Sequence, residues 1–384
     1  MVLYRGCDWI FRIMTGRFEF RDFAVPLLRK PLGLPNVPSS PLTGAHRAWE
    51  TRVPLERMAK TLAEPRADTA SFDIVCLGIM VADVLARPVN GLPERGKLAL
   101  VERIELHTGG CAVNTGIACA KLGLRTAVMG KVGTDAFGDY IIQELQRHGI
   151  DTSGVVRDRV ANTSSTMVMI GPDGERSFIH YPGANARLRG GDVDMGMVKR
   201  GRILHVAGHN VMRGFDGPDA AAVLQAAHEL GVNTSLDTAW DASGQWLDLI
   251  EPCLPHIDYF VPSFEEARMI AGREGPAEIA HFFLDYGIVV VALKMGQAGC
   301  YVTDGQRALR LPAYPVQVVD TTGAGDCFTA GFLAGLIRGW DLERTARFAN
   351  AVGAMCVTSI GATSGVRSLE ETLAFMRDVE QNAR

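Results

Sequence analysis

From position 72 onward the chain alternates between short apolar runs and longer stretches whose apolar residues recur at helical spacing. Phe72-Asp73-Ile74-Val75-Cys76-Leu77-Gly78 is an apolar run closed by a glycine, the pattern of a buried strand. Residues 203–207, 232–236, 259–261 and 288–293 repeat it. Helical spacing occupies 112–122, which Gly123 ends, and then 139–148, 219–230, 264–271 and 369–379. This alternation predicts an α/β fold, a mostly parallel sheet flanked by helices on both faces. Ligands of such sheets gather at the carboxyl ends of the strands. His209, Asp237, Ser263, Gly296 and Asp326 each follow a strand-like run and are expected to border one crevice.

A second pattern interrupts the first. Residues 164–170 and 176–181 are strand-like and flank Gly171-Pro172-Asp173-Gly174, which predicts a hairpin. Residues 81–85 and 99–106 add strand character, the latter with weak alternation. Another apolar strand is expected to end at Val318-Val319. The loop Gly91-Leu92-Pro93-Glu94-Arg95-Gly96-Lys97 falls short of a P-loop, because Leu98 stands where a Ser or Thr hydroxyl would hold Mg²⁺.

Composition narrows the functional classes. Of 384 residues, 47% are hydrophobic and 21% charged, which is ample for a large core. A net charge of −4 gives no footprint for nucleic acid or an anionic membrane surface. No apolar run reaches the ~18 residues that span a bilayer. The eight cysteines are scattered without metal spacing, as expected of free thiols in a reducing cytoplasm. Residues 1–70 read differently from the rest. Trp9, Phe11, Phe18, Phe20 and Phe23 precede a Pro-rich run over 26–54, with nine Lys/Arg against five Asp/Glu up to Arg57. No secretory apolar core is expected there, and the acidic residues argue against an organelle transit peptide. A loosely ordered or non-native extension is expected over 1–70, with Met58 as an alternative start, ahead of a folded domain over 71–384.

The densest chemistry lies in Asp320-Thr321-Thr322-Gly323-Ala324-Gly325-Asp326-Cys327-Phe328, at the start of a helix expected over 324–337. Gly323 and Gly325 permit a sharp turn and close approach to a ligand. The free N–H groups of the helix start favour an anion. Asp326 in the same turn is either a helix-start acid that complements the dipole or a base that takes a proton beside a bound phosphoryl group.

This stretch, followed by Ala330-Gly331, resembles the C-terminal signature of the ribokinase-like (PfkB-type) carbohydrate kinases. Gly109-Gly110-Cys111-Ala112-Val113-Asn114 through Leu122-Gly123 resembles their N-terminal signature, and the likeness runs from about 72 to 373. The resemblance implies an ATP- and Mg²⁺-dependent kinase that transfers the γ-phosphate to a hydroxymethyl group of a sugar of the ribose, fructose or sugar-acid class, with a small β-lid from about 84–108 and 164–182. It implies Asp326 as general base and Gly323, Ala324 and Gly325 as an anion hole. Asp83, Gly109, Gly110, Asn114 and His209 would hold the sugar. Ser263, Lys294, Gly296 and Asn350 would hold the nucleotide, and Glu266 a Mg²⁺ ion through water. Asp320, Thr322, Ser359 and Gly361 fall where relatives hold a monovalent cation such as K⁺, although Gly365 replaces a frequent Ser. Ser263 departs from the family's usual Asn and can replace only one of its hydrogen bonds.

Each of these residues also has a plainer role. Asp83 suits a strand-end cap, Asn114 a helix-start cap, Glu266 a solvated first-turn acid. His209 suits a satisfied imidazole and Lys294 an exposed lysine. Two other functions stay open. A nucleoside kinase of the same fold would use Phe178 and Tyr181 as a floor for the base. A catalytically silent sugar- or nucleotide-binding protein would lack turnover. A free lid edge offers a route to a homodimer.

Overall fold

The computed structural model describes residues 70–382. The expectations for the N-terminal extension and for Met58 lie outside the described residues. The strands in chain order are β1 (Phe72–Gly78), β2 (Val81–Arg87), β3 (Arg103–Gly109), β4 (Thr126–Gly133), β5 (Val155–Asp158), β6 (Ser165–Ile170), β7 (Arg176–Tyr181), β8 (Gly201–His209), β9 (Asn233–Thr238), β10 (Tyr259–Phe260), β11 (Val290–Lys294), β12 (Cys300–Thr303) and β13 (Ala308–Leu311). The longer helices are α1 (Cys111–Lys121), α2 (Ala136–Arg147), α3 (Pro218–Glu229), α4 (Phe264–Ala271), α5 (Pro276–Leu284), α6 (Ala324–Ile337), α7 (Leu342–Cys356) and α8 (Leu369–Asn382).

The large sheet has nine strands in the order β13-β12-β11-β10-β9-β8-β1-β4-β5. Its pairs are parallel except β11–β12 and β12–β13. Alternate residues of β1 feed two separate cores: Ile74 and Cys76 belong to one, Val75 and Leu77 to the other. The first core is covered by α1, α2, α6, α7 and α8, the second by α3, α4 and α5. Helices therefore sit on both faces, as the alternation predicts.

The small sheet has the order β3-β2-β6-β7. β6 and β7 form the expected hairpin, from Ser165↔Tyr181 to Ile170↔Arg176. Register separates its two faces. The row His107–Asp83–Thr166–His180 and the row Glu105–Leu85–Val168–Phe178 share the inner face. The row Leu106–Val84–Met167–Ile179 lies on the outer face.

Three local expectations need correction. The strand expected over 99–106 begins only at Arg103, and residues 98–102 are loop. No strand runs into Asp320: Val318 and Val319 are 59% and 51% exposed, so their apolar character reflects no burial. Asp326 consequently does not follow a strand. β4, every residue of which is buried, went unread because Lys131 and the glycines break its apolar run. Lys131 is accommodated by Asp192 at 2.7 Å and the Arg187 carbonyl at 3.1 Å.

Candidate functional site

The N-cap of helix α1 is Gly110, whose φ of 90° is one that favours glycine. Asn114 lies in the first turn of α1 and is not its cap. Its Nδ2 donates to Asp326 Oδ2 at 2.8 Å, across 212 positions of sequence. Its Oδ1 is buried without a hydrogen-bond partner among the described residues. Asp326 lies in the first turn of α6, whose N-cap is Gly323 at φ 73°. A Cβ on residue 323 would stand 2.3 Å from the Ala362 carbonyl oxygen, so the turn closes there only with glycine. Ala324 N–H donates to Thr321 and Cys327 N–H to Gly323. Between them, the amides of Gly325 and Asp326 have no backbone acceptor among the described residues.

Asp326 and Asn114 line a cavity of about 320 Å³ beneath the small sheet. Asp83 projects into the same cavity from the lid. A Cβ on Gly109 would stand 2.0 Å from Asp83 Oδ2, so the glycine makes room for that carboxylate. Burial pushes the Asp83 carboxyl above its ordinary value, against the pull of Thr166, His180 and His107. Burial also pushes Asp326 up, against the hydrogen bond from Asn114 and the Lys294 ammonium.

Lys294, at the end of β11, reaches both oxygens of Asp237 at 2.7 and 2.6 Å. Its Nζ would be 3.3 Å from a Cβ on residue 325, which places the ammonium beside the free amides. Burial disfavours the ammonium, yet Asp237 and Glu266 outweigh it and hold its pKa above the ordinary lysine value. Burial pushes Asp237 up, Lys294 pulls it down, and Asp326 and Glu266 push it up again. The two-oxygen contact is that of an ion pair.

The remaining expected residues divide. Gly110, Asp320, Thr322, Gly323 and Gly361 line the cavity with Asp83, Asn114 and Asp326. Gly361 N–H donates to Asp320 Oδ2 at 2.9 Å, and Thr322 N–H to Oδ1 at 2.7 Å. Ser263 and Glu266 form a capping box on α4: Ser263 Oγ accepts from Glu266 N–H, and Glu266 Oε2 from Ser263 N–H. Thr238 Oγ1 also donates to Glu266 Oε2 at 2.9 Å. His209 does not line the cavity. It is fully buried, its Nδ1 2.7 Å from Asn210 Oδ1 and its Nε2 3.7 Å from the Cys253 thiol. Burial lowers its pKa. Asn350 Nδ2 donates to the Pro312 carbonyl at 3.0 Å and so pins the chain after β13. Gly296 lies in an exposed turn and Ser359 is half-buried, neither on the cavity wall. Tyr181 belongs to the outer face of the lid, whereas Phe178 lines the cavity.

Sequence reasoning missed Arg176, His107, Thr166 and His180, which also line the cavity. The period-two spacing of Arg176, Phe178 and His180 was the available signal. Among the described residues no group of three or more His, Cys, Asp or Glu side chains is arranged to hold a metal ion. No helix among them is long and apolar enough to cross a membrane.

Residues 71–369 match the model of the pfkB family carbohydrate kinases. An "uncharacterized sugar kinase" of Archaeoglobus fulgidus is 29% identical over 64% of this chain and 97% of its own. An "ATP-dependent 6-phosphofructokinase" of Thermoanaerobacterium thermosaccharolyticum is 25% identical over 82% of this chain and 96% of its own. A putative ribokinase II from E. coli, solved with ATP and Mg²⁺, superposes with a TM-score of 0.69 at 25% identity, covering 80% of this chain and 99% of its own.

Proposed function

Because the chain belongs to the pfkB family of carbohydrate kinases, we propose that Asp326 and the amides beside it move the γ-phosphoryl group of ATP to a hydroxymethyl oxygen of an uncharged sugar. The observation that carries this reading is the contact of Asn114 with Asp326 at the cavity floor. Asp326 itself belongs to the first helical turn whose Gly325 and Asp326 amides lack a backbone acceptor among the described residues. Asp326 takes the hydroxyl proton as the oxygen attacks phosphorus. The Gly325 and Asp326 amides and the Lys294 ammonium face the charge on the transferred oxygens. Asp83 and the unpartnered Asn114 Oδ1 orient the sugar hydroxyls.

The residues present fit a nucleotide that brings its own Mg²⁺, which neutralises charge on the phosphates. Glu266 Oε2 is used by the capping box, leaving Oε1 to accept from a metal-bound water. Asp320 already receives two amides and the Arg176 guanidinium, so an added monovalent cation would find its carboxylate largely compensated.

The lining favours an uncharged sugar. Asp83 and Asp326 are both carboxylates. Arg176 is paired with Asp320, while Arg87 and Arg103 share Glu105. Burial holds the His180 imidazole below its ordinary pKa. A phosphate or carboxylate on the substrate would meet repulsion that no unpaired Arg or Lys of the described lining offsets. A panel of ribose, fructose, 2-keto-3-deoxygluconate, fructose 6-phosphate, adenosine and inosine tests the reading. A neutral sugar should exceed the anionic ones at least about tenfold in kcat/KM. A preferred anion would refute the uncharged substrate, and a preferred nucleoside would favour the alternative with Phe178 as floor.

The base must be ionised, so activity falls as pH drops through the Asp326 pKa. Asn114 lowers that pKa by donating to the carboxylate. Asn114→Leu should therefore move the acid limb of the kcat–pH profile to higher pH. An unmoved limb would contradict the assignment of the base.

The outer lid face exposes Ile104, Leu106, Met167, Ile179 and Tyr181, an apolar patch that a second copy of the chain would cover. Sedimentation should show a dimer that Ile179→Glu dissociates. A native monomer at micromolar concentration would end that part of the proposal.

A further inference from the structure

Arg176 opens β7 at the turn end of the hairpin, the end remote from the lid's root near Gly109 and Ser165. From there its guanidinium crosses to the body of the protein. Nη2 lies 2.6 Å from Asp320 Oδ1, and Nη1 donates to Thr322 Oγ1. Asp320 is nearly fully buried and also receives the amides of Thr322 and Gly361. One carboxylate thus gathers the loop leading into Gly323, the loop at Gly361 and the lid. Among the described residues, Arg176 makes the side-chain hydrogen bonds that join this end of the lid to the anion-binding turn. Those bonds hold the segment leading into Gly323, and the Gly325 and Asp326 amides just beyond it must be placed before charge develops on the phosphoryl group.

We infer that Arg176 is a positioning residue that makes phosphoryl transfer conditional on lid closure. With the lid down, the guanidinium neutralises Asp320 and fixes the Thr322 hydroxyl, so the 320–323 segment is set. With the lid raised to admit sugar, both contacts are lost and that segment loosens. The turn is then organised only while the cavity is covered, which restrains transfer to water. Arg176 acts through Asp320 and Thr322 rather than on the substrate. Its planar fork serves two acceptors at once, which a lysine ammonium on a flexible stem does less well.

The test uses the full chain with Arg176→Met and Arg176→Lys. Hydrogen–deuterium exchange should quicken in Arg176→Met over both 170–176 and 320–323, with β4 unchanged as an internal control. The kcat of Arg176→Met should fall about 10²-fold, the scale expected of a misplaced site, with the KM for ATP held within about threefold. Guanidinium ion at a non-denaturing concentration should restore part of that rate, and Arg176→Lys should lie between. Native kcat in Arg176→Met, or faster exchange in the hairpin alone, overturns the inference. The rate arm rests on the sugar-kinase reading. If the native chain phosphorylates no sugar, that reading falls, and the exchange arm still decides whether Arg176 couples lid and turn.

Discussion

Asp326→Asn is expected to lower kcat at least about 10²-fold while leaving the affinity for ATP nearly unchanged. The amide keeps the size of the carboxylate, and its oxygen still accepts from Asn114 Nδ2, so the local packing survives. What disappears is the ability to take the hydroxyl proton. In the proposed reading the nucleotide is held by the amides and Lys294, which this change leaves in place, so the loss should fall on turnover rather than on KM for ATP. Steady-state kinetics with the preferred sugar checks both values. A variant with near-native turnover would show that Asp326 is only a helix-start acid.

Gly323→Ala should cost as much or more, by a different route. The left-handed φ of 73° strains any residue with a Cβ, by roughly 1–3 kcal/mol. The added carbon would also meet the Ala362 carbonyl oxygen at 2.3 Å and its Cβ at 2.7 Å. That carbonyl cannot easily retreat, because the thiols of Cys327 and Cys356 both donate to it, at 3.3 and 3.1 Å. The turn must therefore open and carry the Gly325 and Asp326 amides with it. Losing one such donor lowers kcat about 10²–10³-fold. Gly191→Ala, at a position with open space around it, is the control that should change neither rate nor melting temperature. Equal behaviour of the two variants would show that the turn is not organised around Gly323.

The residues behind both effects stand out because they are local in sequence, whereas the Ala362 contact that adds to the second is not. The two glycines and Asp326 lie within four positions, and helix α6 follows the bounds its pattern predicts. Most strands of the large sheet were legible for the same reason, since burial on both faces leaves continuous apolar runs. β4 was not, because a buried lysine with a distant partner looks polar in a window of eight residues. The supposed strand before Asp320 failed in the opposite sense, as exposed valines imitate a core. Within the site, the Asp237–Lys294 pair and the reach of Arg176 to Asp320 join residues far apart in the chain. No spacing rule encodes such contacts, which exist only once sheet order and lid register are fixed. The capping box of Ser263 and Glu266 is written in the sequence as Ser-x-x-Glu, a pattern shared by a nucleotide-binding reading and a purely local one.

The most direct measurement is the structure of a ternary complex with the preferred sugar and a non-hydrolysable ATP analogue. The account predicts the sugar's hydroxymethyl oxygen within about 2.6–3.2 Å of an Asp326 carboxylate oxygen, and the terminal phosphate on the Gly325 and Asp326 amides. A sugar bound with that oxygen turned away from Asp326, or a terminal phosphate seated elsewhere, would contradict it.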